Sequence, residues 1–201
     1  MIAMTAWTDH RTFLRRALRR PALIGAPAPT GPTLAAAIAA VLPATGAPTV
    51  VELGAGTGAL APAISARLAP GARYLAVELD AELVAHLRHR MPWLHVLQGD
   101  AADLPALLAN AGVGPVDAIV SSLPWTLVPP QQQREMLAGI AATLAPSGVF
   151  TTITTLTALP TRVRELRRSL EATFGEVVAT EPVWRNVPPS RLFVCRGPRA
   201  C

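Results

Sequence analysis

The sequence contains no lysine: all 18 of its basic residues are arginine. Alanine and proline are abundant, so this arginine usage follows the bias of a GC-rich coding sequence and carries little chemistry of its own. Against 13 acidic residues it still leaves a formal charge of +5, which favours contact with anions. Cysteine is nearly absent. Cys195 and Cys201 are too few for a metal cage or a disulfide framework, and both read as free thiols. Aromatic residues make up only 4% of the chain, short of the stacking platforms that accompany charge in single-stranded nucleic-acid binding. A nucleic-acid partner is therefore not expected. Long apolar runs are missing too. The longest, residues 34–42, ends at Pro43 and falls well short of the roughly 20 residues of a membrane span. The arginine pairs at 15–16 and 19–20 are followed by Pro21, Pro27, Pro29 and Pro32, which break up the apolar segment an export signal needs. The chain is expected in the cytoplasm, with at most a peripheral association at the inner membrane face.

What is present is an alternation of β-branched runs and amphipathic stretches over 201 residues, enough for one well-cored α/β domain. Strands are expected at 49–53, 73–79, 94–98, 116–121, 148–155, 176–183 and 191–196. Helices are expected at 31–42, 58–68, 81–90, 103–110, 131–145 and 160–173. A loop bearing Pro182, Pro188 and Pro189 joins the last two strands, as a hairpin rather than a helical crossover requires. The expected fold is a Rossmann-like, seven-stranded, mostly parallel sheet with an antiparallel last strand and helices on both faces. Ahead of it, residues 5–20 place Trp7, Phe13, Leu14, Ala17 and Leu18 on one side of a helix and Arg11, Arg15, Arg16, Arg19 and Arg20 on the other. Such a basic amphipathic helix suits an anionic membrane surface, or docks on its own domain with a solvated arginine face. The chain thus divides into residues 1–30, a basic helix with a lid segment, and residues 31–201, the α/β domain.

The densest signal is Thr49-Val-Val-Glu-Leu-Gly-Ala-Gly-Thr-Gly58. A buried strand ends at Glu52 and enters a turn with glycine at 54, 56 and 58, where the backbone can take positive φ and a ligand can approach the main chain. The spacing G-x-G-x-G differs from the dinucleotide fingerprint G-x-G-x-x-G. A carboxylate at this strand end would also repel a pyrophosphate and welcome a cation. Two more strands end in carboxylates: Arg73-Tyr-Leu-Ala-Val-Glu78-Leu79 and Leu94-His-Val-Leu-Gln-Gly-Asp100-Ala101. Ligands of open α/β sheets bind outside the carboxyl ends of the strands, where all three groups sit.

The pattern resembles motif I and its companions in class I S-adenosylmethionine (SAM) methyltransferases. The resemblance implies that Glu52 serves the methionine end of SAM, that Glu78 accepts both ribose hydroxyls and that Asp100 reads the adenine amino group. It places Gly54, Gly56, Gly58, Leu79, Ala101 and Ser121 around the same cofactor. The fourth strand ends in Ser121-Ser122-Leu123-Pro124-Trp125, similar to the N/D/S-x-P-Y/F/W turn of amino-group methyltransferases. That likeness gives Ser122 and Pro124 the task of orienting the amine and Trp125 that of walling the transfer site. Serine replaces the asparagine of the related rRNA adenine dimethylases.

The fuller resemblance is to bacterial phospholipid N-methyltransferases, which methylate phosphatidylethanolamine from a membrane-bound N-terminal helix. It rests on the basic helix with Gly25-Ala-Pro-Ala-Pro29-Thr-Gly-Pro, on the Ser-Leu-Pro turn, and on Trp184-Arg185-Asn186-Val187-Pro188-Pro189-Ser190-Arg191. Trp125 departs from the aliphatic residue that family places after Pro124. Arg185 and Arg191 would meet an anionic head group. No general base stands out, and His10, His86, His89 and His95 read as surface or structural residues. Three readings stay open: a lipid-amine N-methyltransferase, a methyltransferase of a soluble bacterial metabolite, and a non-catalytic SAM- or RNA-binding module.

Overall fold

The computed structural model describes residues 30–199. The basic helix expected at 5–20, and Cys201, lie outside the described residues. Helix α1 (Pro32–Val41) leads into strand β1 (Thr49–Leu53). Then follow α2 (Ala61–Arg67), β2 (Arg73–Glu78), α3 (Ala81–Arg90) and β3 (His95–Gln98). A 3-10 turn (Ala101–Asp103) opens α4 (Leu104–Asn110), and β4 (Val116–Ser121) follows. A second 3-10 turn (Trp125–Leu127) precedes α5 (Pro130–Thr143) and β5 (Leu144–Thr155). The chain continues through α6 (Pro160–Thr173), β6 (Phe174–Ala179) and β7 (Ser190–Pro198).

The seven strands form one sheet in the order β3-β2-β1-β4-β5-β7-β6. Every pairing from β3 to β5 is parallel, and β7 runs antiparallel between β5 and β6. Each face of the sheet is covered. Val51, Leu53 and Ile119 pack with Leu104, Leu137 and Leu166 on one side, while Val50, Ala118 and Val120 pack with Leu34, Ile38 and Ile64 on the other. This two-sided burial is why the central strands read as unbroken β-branched runs rather than alternating ones. Cys195 is a buried free thiol in β7, where burial pushes its pKa up to about 12.

Helix α2 begins at Ala61 rather than 58, and two strands depart from the sequence expectation for local reasons. Strand β5 begins at Leu144, not at 148, because α5 runs straight into it. Residues 145–148 loop out between the pairs Val116–Leu144 and Ala118–Val149. Strand β6 covers 174–179 rather than 176–183. At its end the Thr180 hydroxyl takes the ladder position of a backbone carbonyl, accepting from the Leu192 N–H at 3.0 Å.

Candidate active site

The order β3-β2-β1-β4 sets the carboxyl ends of the three carboxylate-bearing strands side by side, with the Ser-Leu-Pro-Trp turn next to them. In the glycine turn, Gly54, Gly56 and Gly58 all take positive φ, at 73°, 57° and 81°. Their surroundings differ. A Cβ on Gly54 would come within 2.9 Å of Leu123, and one on Gly58 within 2.7 Å of Met91, so these two glycines serve close packing. A Cβ on Gly56 would meet nothing within 4 Å. Gly56 therefore faces open space, the cradle that a ligand close to the main chain would fill.

Glu52 and Glu78 are each 1% exposed. Glu78 holds the turn: its carboxylate accepts from the Gly56 N–H and from the Asp80 N–H, both at 2.9 Å. A carboxylate has about four acceptor positions, so each oxygen keeps capacity for a further donor. Glu52 accepts a short hydrogen bond from the Tyr74 hydroxyl. Burial raises its pKa to about 7; the Tyr74 hydrogen bond opposes that shift and the neighbouring Glu78 adds to it. Burial, with Glu52 alongside, pushes the Tyr74 phenol well above its ordinary value. Asp100 caps the following 3-10 turn by accepting from the Ala102 N–H at 2.9 Å. Gly54, Glu78, Leu79, Asp100 and Ala101 line one recess, which Leu123 closes from the far side. Glu52, Gly56, Gly58 and Ser121 are not among the residues lining this recess; Glu52 is buried beside Glu78 and held back from ionising, a cost that a nearby cation would lower.

On the other side of Leu123 lies a second, larger cavity. Ser122, Pro124 and Trp125 line it from the β4 turn, Ile153 and Thr154 from β5, and Asn186 and Pro188 from the loop before β7. Trp125 stands at 1% exposure and has a core role as well as a place in the cavity wall. Its ring meets Phe150 edge-on at 6.1 Å, and its Nε1 donates to Ser121 Oγ at 2.9 Å. The Ser121 hydroxyl, fully buried, also accepts from the Leu123 N–H, so it holds the turn together. Gln133 and Arg162 brace the same turn through carbonyls: Gln133 donates to Trp125 and Val128, Arg162 to Thr126 and Val128. Asn186 pins the opposite wall. Its Oδ1 accepts from the Gly31 N–H at 2.9 Å, and its Nδ2 donates to the Pro188 carbonyl at 2.8 Å and to Ser190 Oγ at 3.2 Å.

Thr154 and Arg191 face each other as register partners across β5 and β7. Each buries a polar atom, Thr154 Oγ1 and Arg191 Nε, with no hydrogen-bond partner among the described residues. Arg185 is exposed on the loop beside Asn186. His86, His89 and His95 are exposed on α3 and β3, and none of them lines the cavity. Sequence reasoning missed Tyr74, Thr154, Gln133 and Arg162. Only Tyr74 carried a usable signal, as the single tyrosine of the chain, set in the strand next to Glu52.

A family model described as a methyltransferase domain matches residues 50–148. An O-methyltransferase from Bacillus cereus, solved in complex with SAH, superposes with a TM-score of 0.66 over 92% of this chain and 91% of its own, at 18% identity. TrmN from Thermus thermophilus superposes at 0.62 over 83% of this chain, at 23% identity, and the chain spans 48% of its length. Fold, glycine turn and strand-end carboxylates together define a class I SAM-dependent methyltransferase. An ornithine lipid N-methyltransferase from Singulisphaera acidiphila is 33% identical over 193 residues, covering 94% of this chain and 96% of that protein. The chain belongs to the same methyltransferase family as this relative, and its cofactor is SAM.

Proposed function

We propose that this enzyme transfers methyl groups from SAM to the amine of a membrane lipid that also carries an anionic group. The observation that carries the acceptor is the relationship, over 94% of the chain, to a lipid N-methyltransferase. The amino lipid would be of the phosphatidylethanolamine type or an amino-acid lipid. Residues 31–201 would do the chemistry. Residues 1–30 would supply the basic segment that meets an anionic membrane surface and the lid next to the cavity. They join the described fold at Thr30, which lines the acceptor cavity, and Gly31, which Asn186 holds. Among the described residues no helix is long and apolar enough to cross a membrane. A peripheral enzyme at the inner face of the cytoplasmic membrane fits this arrangement.

SAM supplies a methyl carbon bound to a positively charged sulfur, so the leaving group needs no acid. Glu52 would face the cationic methionine end, Glu78 the ribose hydroxyls and Asp100 the adenine amino group, with Leu79 and Ala101 flanking. Gly56 would let the cofactor lie against the main chain. The protein's remaining tasks are alignment and the exclusion of water. The acceptor nitrogen can attack only when neutral, and the apolar walls formed by Leu123, Pro124, Trp125 and Ile153 favour the uncharged amine. Ser122 and the orphan hydroxyl of Thr154 are the polar groups placed to orient it. Arg191, the strand partner of Thr154 though itself outside the cavity lining, and the exposed Arg185 would meet the anionic group; the unpaired buried Nε of Arg191 supports this.

Glu78→Ala is expected to weaken SAM binding by roughly 1.5–3 kcal/mol, the range for hydrogen bonds to a charged group. Titration calorimetry measures this, and an unchanged affinity would remove Glu78 from the cofactor site. The acceptor is tested with methyl-labelled SAM, offering amino-lipid vesicles and a bacterial metabolite extract in parallel. Label should partition into the organic phase. Label confined to the aqueous phase would assign the enzyme a soluble acceptor instead.

A further inference from the structure

Three of the most exposed large apolar side chains of the described fold lie on the two loops that border the acceptor cavity: Val187 lines it, Trp184 stands three residues earlier on the same loop, and Leu159 follows four residues after the cavity-lining Thr155. Trp184 is 70% exposed, Leu159 67% and Val187 66%. Their backbone is held in place. Between Trp184 and Val187, Asn186 is buried and makes three hydrogen bonds, to Gly31, Pro188 and Ser190. The loop of Leu159 is tied to the same edge, because the Leu156 N–H donates to the Pro189 carbonyl at 2.8 Å. Arg162, three residues further on, anchors the start of α6 to the turn that lines the cavity. A fixed backbone that points apolar groups into solvent at a cavity mouth marks a contact surface rather than slack in the fold.

The charges nearby are net positive, although Glu181 is exposed on the Trp184 loop and Arg162 and Arg167 pair with Glu165 and Glu171. Arg185 is exposed next to Trp184, and Arg164, Arg167 and Arg168 are exposed on α6. The chain that carries the basic residues 11–20 enters the described fold, after nine intervening residues, at Thr30, which lines this same cavity. Tryptophan's amphipathic ring suits the headgroup zone of a bilayer, and arginine suits anionic lipid. We infer that Trp184, Val187 and Leu159 form a lip that inserts into the interface of an anionic bilayer and sets the cavity mouth against the membrane. This inference rests on the lipid-acceptor reading and supplies what that reading needs: an amino head group can enter the cavity while its acyl chains stay in the bilayer.

The test is sedimentation of the full-length chain with vesicles of phosphatidylglycerol and phosphatidylcholine, which contain no amino lipid. Trp184→Ser combined with Leu159→Ser is expected to lower vesicle affinity at least tenfold while SAM affinity stays at the wild-type value. Trp93→Ser serves as the control, since Trp93 is also exposed (53%) but precedes the amino end of β3, away from the cavity. It should bind vesicles like the wild type. As a second readout, brominated phosphatidylcholine should quench wild-type tryptophan emission more than that of Trp184→Phe. Wild-type vesicle affinity in the double variant, or equal quenching in the two proteins, would overturn the lip. Failure of the acceptor reading shows separately, as absence of lipid methylation by a protein that still binds these vesicles.

Discussion

Gly56→Val is expected to abolish SAM binding, with affinity falling more than a hundredfold, while the chain still folds. The reason lies in what surrounds the three turn glycines. At Gly54 and Gly58 an added Cβ meets Leu123 or Met91, so substitution there perturbs packing first. At Gly56 the same atom enters open space, which under the proposed reading the cofactor would fill. The price to the fold is the left-handed backbone, with φ at 57°, which costs a non-glycine residue roughly 1–2 kcal/mol. In a domain of this size that lowers Tm by roughly 2–8 °C. Calorimetric titration with SAM, alongside a thermal melt, separates the two effects. A variant that melts a few degrees lower and binds SAM normally would remove the glycine turn from the cofactor site.

The second large effect concerns pH and has two opposite signs. Glu52 is buried, and its pKa in the folded protein is raised to about 7 against an ordinary value of 4.5. Between those values the folded chain holds a proton that the unfolded chain has released. Its contribution to stability is therefore full below about pH 4.5 and is lost as pH rises through about 7. The loss amounts to about 3 kcal/mol. SAM binding should run the other way. The ionised carboxylate is the form that welcomes a cation, so affinity should rise with pH up to about 7, and binding below that should release a proton. Glu52→Gln keeps an acceptor for the Tyr74 hydroxyl and removes the titration. Its stability and SAM affinity should both lose this pH dependence. The measurement is calorimetry from pH 5 to 8 in buffers of different ionisation enthalpy, with parallel denaturation. Identical pH profiles for wild type and variant would show that Glu52 does not titrate with binding.

The candidate cofactor half of the site was legible in the sequence as a proposal because it is built from local signals. Glu52 and the glycines lie in one ten-residue stretch, and Glu78 and Asp100 each close a β-branched or apolar run. The parallel order of the sheet then brings the three strand ends together without further specification. The acceptor half was legible only as isolated motifs. The hydrogen bond from Gly31 to Asn186 joins residues 155 positions apart, and no pattern in either segment announces the other. Thr154 looks like any other threonine in Thr151-Thr-Ile-Thr-Thr155; only the fold shows that it lines the cavity and that its strand partner Arg191 also buries an unpaired polar atom. Trp125 shows a different limit. Its motif marks it as a wall of the transfer site, but its burial, its edge contact with Phe150 and its bond to Ser121 show that the same ring also belongs to the core.

The most direct measurement is mass spectrometry of total lipid from cells expressing either the wild-type enzyme or Gly56→Val. The account predicts that an amino lipid gains one or more methyl groups on its nitrogen in wild-type cells and none in cells with the variant. An unchanged lipid profile, with a methylated water-soluble metabolite appearing only in wild-type cells, would contradict it.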